Sequence, residues 1–206
     1  MFNKKITALA LLCAGACVAS SAQAKNLTGW FVNAGAGSAH YHATVNGMDA
    51  GSESDTSFQF NAGWRSQFIG VEAGYVDLGS VSGHASYYYD PNQSLGYSSI
   101  RNKLSGDGWT LGLNGHFNPT DQWYISARGG LFMWKLHYKE TDTPISGSEQ
   151  HYGYSTQSMD WYAGVGTGVD FTRHTSLGLN FDYYKISKDG VDIGNRVYTV
   201  NFEYRF

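Results

Sequence analysis

The sequence predicts an all-β fold, an eight-stranded antiparallel up-and-down transmembrane β-barrel. Three observations carry this. The last nine residues, Tyr198 to Phe206, place large apolar residues at every second position and polar ones between them. The same alternation recurs in seven earlier segments, and the connections between segments are long and short in turn. Successive side chains of a strand face opposite ways, so each segment has one greasy face and one polar face. A soluble sandwich accounts for one such strand. A closed barrel, apolar outward into lipid and polar inward, accounts for all eight.

The amino terminus carries a different signal. Lys4 and Lys5 precede a short apolar stretch, Ile6 to Val18, and Ala22-Gln23-Ala24 gives a small-x-small cleavage pattern. Residues 1–24 therefore read as a cleaved secretory signal peptide. Ala14-Gly15-Ala16-Cys17 faintly matches a lipoprotein box, with Ala14 where Leu is usual, and lipidation at Cys17 is the alternative. Cleavage after Ala24 leaves a single barrel domain, residues 25–206, without cysteine and so without disulfide or thiol chemistry.

The first strand has Trp30, Val32, Ala34 and Ala36 on its apolar face. Phe58, Phe60, Ala62 and Trp64 mark the second, and Ile69, Val71, Ala73 and Tyr75 the third. Trp109, Leu111, Leu113 and Phe117 give the fourth; Trp123, Ile125, Ala127, Leu131 and Met133 give the fifth. The sixth carries Trp161, Ala163, Val165, Val169 and Phe171, and the seventh Leu177, Leu179, Phe181 and Tyr183. The carboxyl-terminal stretch is the eighth. Each is close to the about 9–11 residues that a tilted strand needs to cross a bilayer. Short turns are expected at Ser66-Gln67, Asn118 to Asp121 and Thr172 to Thr175, and long loops over 40–56, 79–107, 138–159 and 185–196. Aromatic residues fall at both ends of the strands, as the two belts at headgroup level require.

Composition excludes several functions. Two of the 14 basic residues and none of the 17 acidic ones lie in the signal, so the mature chain is acidic, at a formal charge of about −5. No basic face recommends nucleic acid as a partner. No run of 18 apolar residues follows the signal, which excludes a transmembrane helix and leaves the barrel untouched.

Several stretches together carry a family resemblance: Asn61 to Arg65, Phe68 to Gly79, Asp121 to Gly130 and the terminal Phe202 to Phe206. The spacing Gly70-x-Glu72-x-Gly74-Tyr75 and the terminal aromatic strand are the more specific parts. From Gln59 onward the chain resembles the OmpA-like small outer-membrane barrels, in their transmembrane barrel domain only. The resemblance implies an interior network of ionised residues. Glu72 and Arg128 match its acidic and basic positions, Asp170 stands for a Glu, and Asn114 and Asn180 stand for a Lys and an Arg. That gate is therefore not carried over intact. Alternation adds Arg65, Asp182, Glu203 and Arg205 to the inward set, with Glu72 expected to pair with Arg128. The inward Gly164, Gly166 and Gly168 leave room for long partners opposite. The resemblance also makes Tyr204 and Phe206 an assembly signal.

Chemistry beyond this is weakly written. His40-x-His42 lies on one face and could ligate a metal, but it lacks a third ligand nearby. His137 and His151 lie near Ser146, Ser148, Ser155 and Ser158 without a spacing that fixes a nucleophile and its base. No catalytic, metal-binding or cofactor-binding residue is assigned. Tyr87, Tyr88, Tyr89, Tyr97, Tyr152 and Tyr154 crowd the second and third loops, where tyrosine is good contact chemistry. The expected protein is a non-enzymatic outer-membrane barrel with periplasmic termini, serving envelope structure and surface interaction or adhesion. Its expected partners are outer-membrane lipid, the barrel assembly machinery and a host or surface ligand. A low-conductance channel and a lipid-modifying barrel enzyme are the alternatives.

Overall fold

The computed structural model describes residues 28–45, 48–87, 98–143, 149–188 and 190–206. Eight strands run in sequence order around a closed antiparallel barrel: β1 Gly29–Val45, β2 Met48–Arg65, β3 Ile69–Tyr87, β4 Ser98–Phe117, β5 Trp123–Thr143, β6 Gln150–Asp170, β7 Thr175–Lys188 and β8 Val191–Arg205. The first and last strands close the ring, Phe31 opposite Arg205 and Val45 opposite Val191. Every spanning backbone group thus finds its partner in a neighbouring strand, the only way a sheet can stand in lipid.

The short turns lie where the sequence puts them. The Ser66 amide bonds the Ile69 carbonyl at 2.9 Å, the Thr120 hydroxyl receives the Trp123 amide at 3.0 Å, and the Thr172 hydroxyl receives the Thr175 amide at 3.0 Å. Both chain ends of the barrel lie on that same side, where the Phe206 amide bonds the Trp30 carbonyl. Outside, Trp30, Trp64, Phe117, Trp123 and Phe206 form the lower belt and Trp109, Trp161 and Tyr198 part of the upper one, all exposed.

The opposite side departs from the expectation. Most of the residues read as long loops are strand: β5 runs on to Thr143, and β6 begins at Gln150. The reason is a change of phase. Through the lipid band β5 turns Trp123, Ile125, Leu131 and Met133 outward. Above it the inward positions Phe132, Trp134 and Leu136 become the apolar ones, and Lys135 and Lys139 face out. The upper barrel stands in water, so its greasy side turns inward like that of any soluble protein. Phe132 and Trp134 pack there with Ala39, Tyr41, Val76, Leu78, Ile186, Ile193 and Val197 in one buried cluster.

Two seams divide this upper part. Pairing of β2 with β3 stops at Phe58–Asp77, and that of β6 with β7 at Tyr162–Tyr184. Strands β3–β6 therefore rise as one four-stranded lobe, and β7, β8, β1 and β2 as another. Each seam is stitched by an aspartate. Asp55 accepts the Ser80 amide at 2.6 Å; Asp160 accepts the Ser187 amide at 2.9 Å and the Trp134 indole N–H at 2.8 Å. Partial burial pushes Asp55 up, but the Ser80 and Thr56 amides outweigh it and hold the carboxyl below its ordinary value. Gly79, at φ 85°, lies in a bulge of the β3–β4 ladder just above the last β2–β3 pair, and a Cβ there would strike the Thr56 carbonyl. Both seams open just above the upper aromatic belt. Unpaired strand edges are tolerable there because water can reach them.

Candidate functional site

The barrel interior holds the densest chemistry, in two tiers of ion pairs. In the lower tier Arg65 forks onto Glu203, with Nη1 to Oε1 at 3.2 Å and Nη2 to Oε2 at 2.8 Å. Arg205 links the same Glu203 (2.8 Å) to Asp170 (2.6 Å), and Asn118 and His116 also reach Asp170. In the upper tier Arg128 holds Asp182 through Nε and Nη2, both at 2.7 Å, and donates to Gln59 at 2.5 Å. Glu72 accepts from Tyr162 and Asn114, each at 2.9 Å. These ion-pair side chains are nearly all shut from solvent. Charges so placed must be matched and hydrogen-bonded, and here three arginines meet four carboxylates.

Arg65, Glu72, Asn114, Arg128, Asp170, Asn180, Asp182, Glu203 and Arg205, the interior set expected from the sequence, lie on the inner face of the barrel, and the expected Glu72–Arg128 ion pair is present beside a closer one. Arg128 lies 3.8 Å from Glu72, a distant contact, and its bidentate partner is Asp182. A forked guanidinium fits one carboxylate face at a time, and Glu72 is already satisfied by its neutral donors. The inward glycines make the room: a Cβ at Gly164 would collide with the Asp182 carboxylate and one at Gly166 with the Asn180 amide. The remaining space between the tiers is a cavity of about 20 Å³, lined by Asn33, Arg65, Asn114, Arg128, Asn180 and Glu203 among others. That is room for about one water.

The residues that finish the network were not singled out from the sequence. Gln59 joins β2 to Asn201 and Thr199 on β8, and His116 stacks on Tyr124 with ring centroids 4.2 Å apart. Their parity, Gln59 between Phe58 and Phe60 and His116 beside Phe117, was the available signal. Tyr162 and Tyr184 form the ceiling. Their rings stack at 5.7 Å, their hydroxyls reach down to Glu72 and Gln59, and Phe132 packs edge-on above Tyr184.

The other candidates lie outside this network. Tyr204 and Phe206 face lipid, their rings in edge contact at 5.1 Å. Tyr152 and Tyr154 belong to strand β6 and are 57% and 69% exposed; Tyr87 ends β3. Tyr88, Tyr89, Tyr97, Ser146 and Ser148 fall outside the described residues. His40 bonds Ser54, His137 contacts Asp107 at 3.3 Å and His151 contacts Thr141 at 3.2 Å, so these imidazoles meet different neighbours at separate places.

Comparison with known proteins agrees with this architecture. Residues 9–206 match the sequence profile of the family described as outer membrane protein beta-barrel domain. Neisserial surface protein A is similar in structure, at 17% identity over 87% of this chain and 98% of that one, with a TM-score of 0.52. So is the attachment invasion locus protein Ail of Yersinia pestis, solved with the heparin analogue sucrose octasulfate, at 15% identity over 85% and 99% and a TM-score of 0.50. No curated protein sequence matches. At such identities the likeness is one of fold. The profile match covers nearly the whole chain, and the chain belongs to the outer membrane protein β-barrel domain family.

Proposed function

We propose that this protein is a non-enzymatic barrel of the outer membrane that serves envelope structure and meets other surfaces with its upper rim. The observation that carries the reading is the doubly filled interior. Paired charges occupy the lower half and an apolar cluster the upper half, so nothing continuous is left for a solute to follow. A barrel filled in this way, with no catalytic constellation assembled among the described residues, has its upper rim left to work with. The β3–β6 lobe carries exposed Tyr152 and Tyr154 on the same face of β6 as Thr156, well beyond the lipid band, where they can meet a partner. That Ail was solved with a heparin analogue makes sulfated glycans a reasonable first ligand to test.

The test has two arms. Purified protein in planar bilayers is expected to give at most rare, small openings. Cells expressing it are expected to adhere to a glycan- or matrix-coated surface, and to lose that adhesion when Tyr152 and Tyr154 are replaced by Ser. A large steady conductance rejects the closed interior, and adhesion unchanged by the double replacement rejects the rim.

The same reading assigns the chain ends. Signal removal after Ala24 and periplasmic termini fit the Ala22-Gln23-Ala24 pattern and the position of both ends at the short-turn side. Sequencing of the membrane form is expected to begin at Lys25; a lipidated Cys17 as first residue would overturn this. Phe206 is proposed as an assembly signal. Phe206→Ser is expected to lower the amount of folded protein in the outer membrane several-fold, while Val165→Ala, at another lipid-facing position, leaves it nearly unchanged. Equal levels of the two would remove the special role of the last residue.

A further inference from the structure

Where β6 parts from β7 it keeps a neighbour on one side only. It pairs with β5 up to Asp142–Gln150, whereas its ladder with β7 ends at Tyr162–Tyr184. From Gln150 to Trp161 the strand is therefore an edge. A strand residue sends its N–H and C=O to the same side, and successive residues send them to opposite sides. The lower end of β6 fixes the phase. The Asp170 amide bonds the Gln122 carbonyl on the β5 side, and the Phe171 amide bonds the Thr175 carbonyl on the β7 side. No bulge interrupts the β5–β6 register, so the odd-numbered residues face the seam all the way up. The backbone groups of His151, Gly153, Ser155, Gln157 and Met159 thus point into the gap. Lys188 reaches across to one of them, its Nζ 3.1 Å from the Gln157 carbonyl and 2.8 Å from the Thr156 hydroxyl. It stands where the N–H of a missing strand would donate.

Beside this edge lies a place for a side chain. A cavity of about 210 Å³ opens at the seam, walled by Trp134, Leu136, Ile186 and Val191, with Thr156 at its lip. Small-molecule pockets run to about 300–1,000 Å³, so a space of this size suits a single apolar side chain better than a free ligand. Above Thr156, Tyr154 and Tyr152 follow on the same inner face of β6, both exposed. A strand laid on the edge would set its alternate side chains over the cavity, then over Tyr154, then over Tyr152. Charge changes along that path. At its top the inner-face rows Asn102–Glu140–Tyr152 and Ile100–Asp142–Gln150 hold two carboxylates and no cation. Exposed tyrosine faces beside carboxylates attract a cation.

We propose that the β6 edge captures an extended peptide segment of a partner protein by strand addition. The segment runs antiparallel to β6, as β7 does below it. It seats a large apolar residue in the cavity and, four residues later, lays a Lys or Arg over Tyr152 toward Glu140. Backbone hydrogen bonds to Ser155, Gln157 and their odd-numbered neighbours hold it, and the alternate side chains select it. Lys188 gives up the Gln157 carbonyl and swings into water. A lysine on an exposed edge also keeps unspecific strands away, so the edge opens only to a segment whose side chains fit. The inference rests on the reading of the upper rim as the meeting surface and names what that rim meets.

The probe is the fluorescein-labelled peptide Thr-Ile-Thr-Val-Thr-Arg-Thr-amide, titrated into the full folded chain in a non-ionic detergent and followed by anisotropy. Saturable binding is expected, with slowed hydrogen exchange at the Ser155 and Gln157 amides. In this register the peptide's threonines turn their amides to β6, and Ile, Val and Arg turn theirs away. N-methylation of the two middle threonines should weaken binding at least about tenfold, whereas N-methylation of Val should leave it within about twofold. Ser155→Pro removes a seam-side donor and spares the β5 ladder, so it should weaken binding alike while the unboiled gel mobility persists. Lys188→Ala should tighten binding several-fold, and Glu140→Gln should weaken the Arg peptide but not its Gln counterpart. Equal affinity for the two N-methylated peptides overturns strand addition, whatever Ser155→Pro does to folding. Unchanged affinity when the peptide's Ile is replaced by Ser overturns the cavity as its anchor. Adhesion that depends on Tyr152 and Tyr154 in a protein that does not bind the peptide overturns the edge and leaves the rim. Peptide binding with adhesion untouched by those tyrosines supports the edge and overturns the rim as the adhesive surface.

Discussion

Arg128→Gln is expected to destabilise the barrel by about 3–5 kcal/mol, the range for removing one partner of a buried ion pair. Among the described residues the guanidinium is the only cation in contact with Asp182, whose side chain is 1% exposed, and it also donates to Gln59. Glutamine cannot fork onto a carboxylate, so Asp182 would be left charged and unpaired beneath a ceiling of aromatic rings. The urea midpoint of the gel-mobility change in mixed micelles reports the loss. Double-mutant cycles separate the partners. The coupling of Arg128 with Asp182→Asn is expected to exceed that with Glu72→Gln, because Glu72 lies 3.8 Å away and keeps Tyr162 and Asn114. A larger coupling with Glu72 would reverse this assignment. Replacing both Arg128 and Asp182 by apolar residues should restore much of the loss, since the pair itself contributes little net stability.

This pairing also marks how far the sequence reaches. Alternation alone places Arg128, Asp182, Glu72 and the lower residues inside, because a one-residue slip of β5, for example, would turn Arg128 out into lipid and bring Trp123 and Ile125 inward. It does not say which carboxylate a given arginine takes. That depends on register across strands: Arg128 lies opposite Gly164, and Gly164 opposite Asp182, so the guanidinium crosses a glycine to reach its partner. The three inward glycines of β6 hint that something long lies across them without naming it.

The upper barrel was less legible for a different reason. In the lipid band, the outward face is almost wholly apolar and the inward one polar, which gives strong contrast. Where the phase changes, Leu131-Phe132-Met133-Trp134 is apolar on both faces and the alternation disappears. Higher up, β6 contributes Thr156, Ser158 and Asp160 to the inside, and an apolar pattern is visible only in its neighbours. A strand whose inward residues are polar because it borders a seam looks like a loop. The seams themselves leave almost no trace in the sequence beyond Gly79.

The second large effect belongs to that upper core. Trp134→Ala is expected to cost about 3–5 kcal/mol, as removal of a buried tryptophan does. Trp134 is 2% exposed, packs in the cluster with Phe132, Leu136 and Ile186, and donates its indole N–H to Asp160. Asp160 in turn receives the Ser187 amide across the β6–β7 seam, so one side chain supports both the core and the stitch. The loss is expected to be local. Below Tyr162 and Tyr184 the ladder is continuous and clamped by ion pairs, whereas above them each lobe holds its neighbour through a few contacts. In hydrogen exchange, the amides of 185–188 and 150–160 should lose protection, while those of 163–170 and 176–182 keep it, and the unboiled gel mobility should persist. Trp134→Phe, which keeps most of the apolar volume and loses the N–H, should cost about 1–2 kcal/mol and open the seam less. Uniform loss of protection through both halves would show that the barrel unfolds as one unit and that the lobes have no stability of their own.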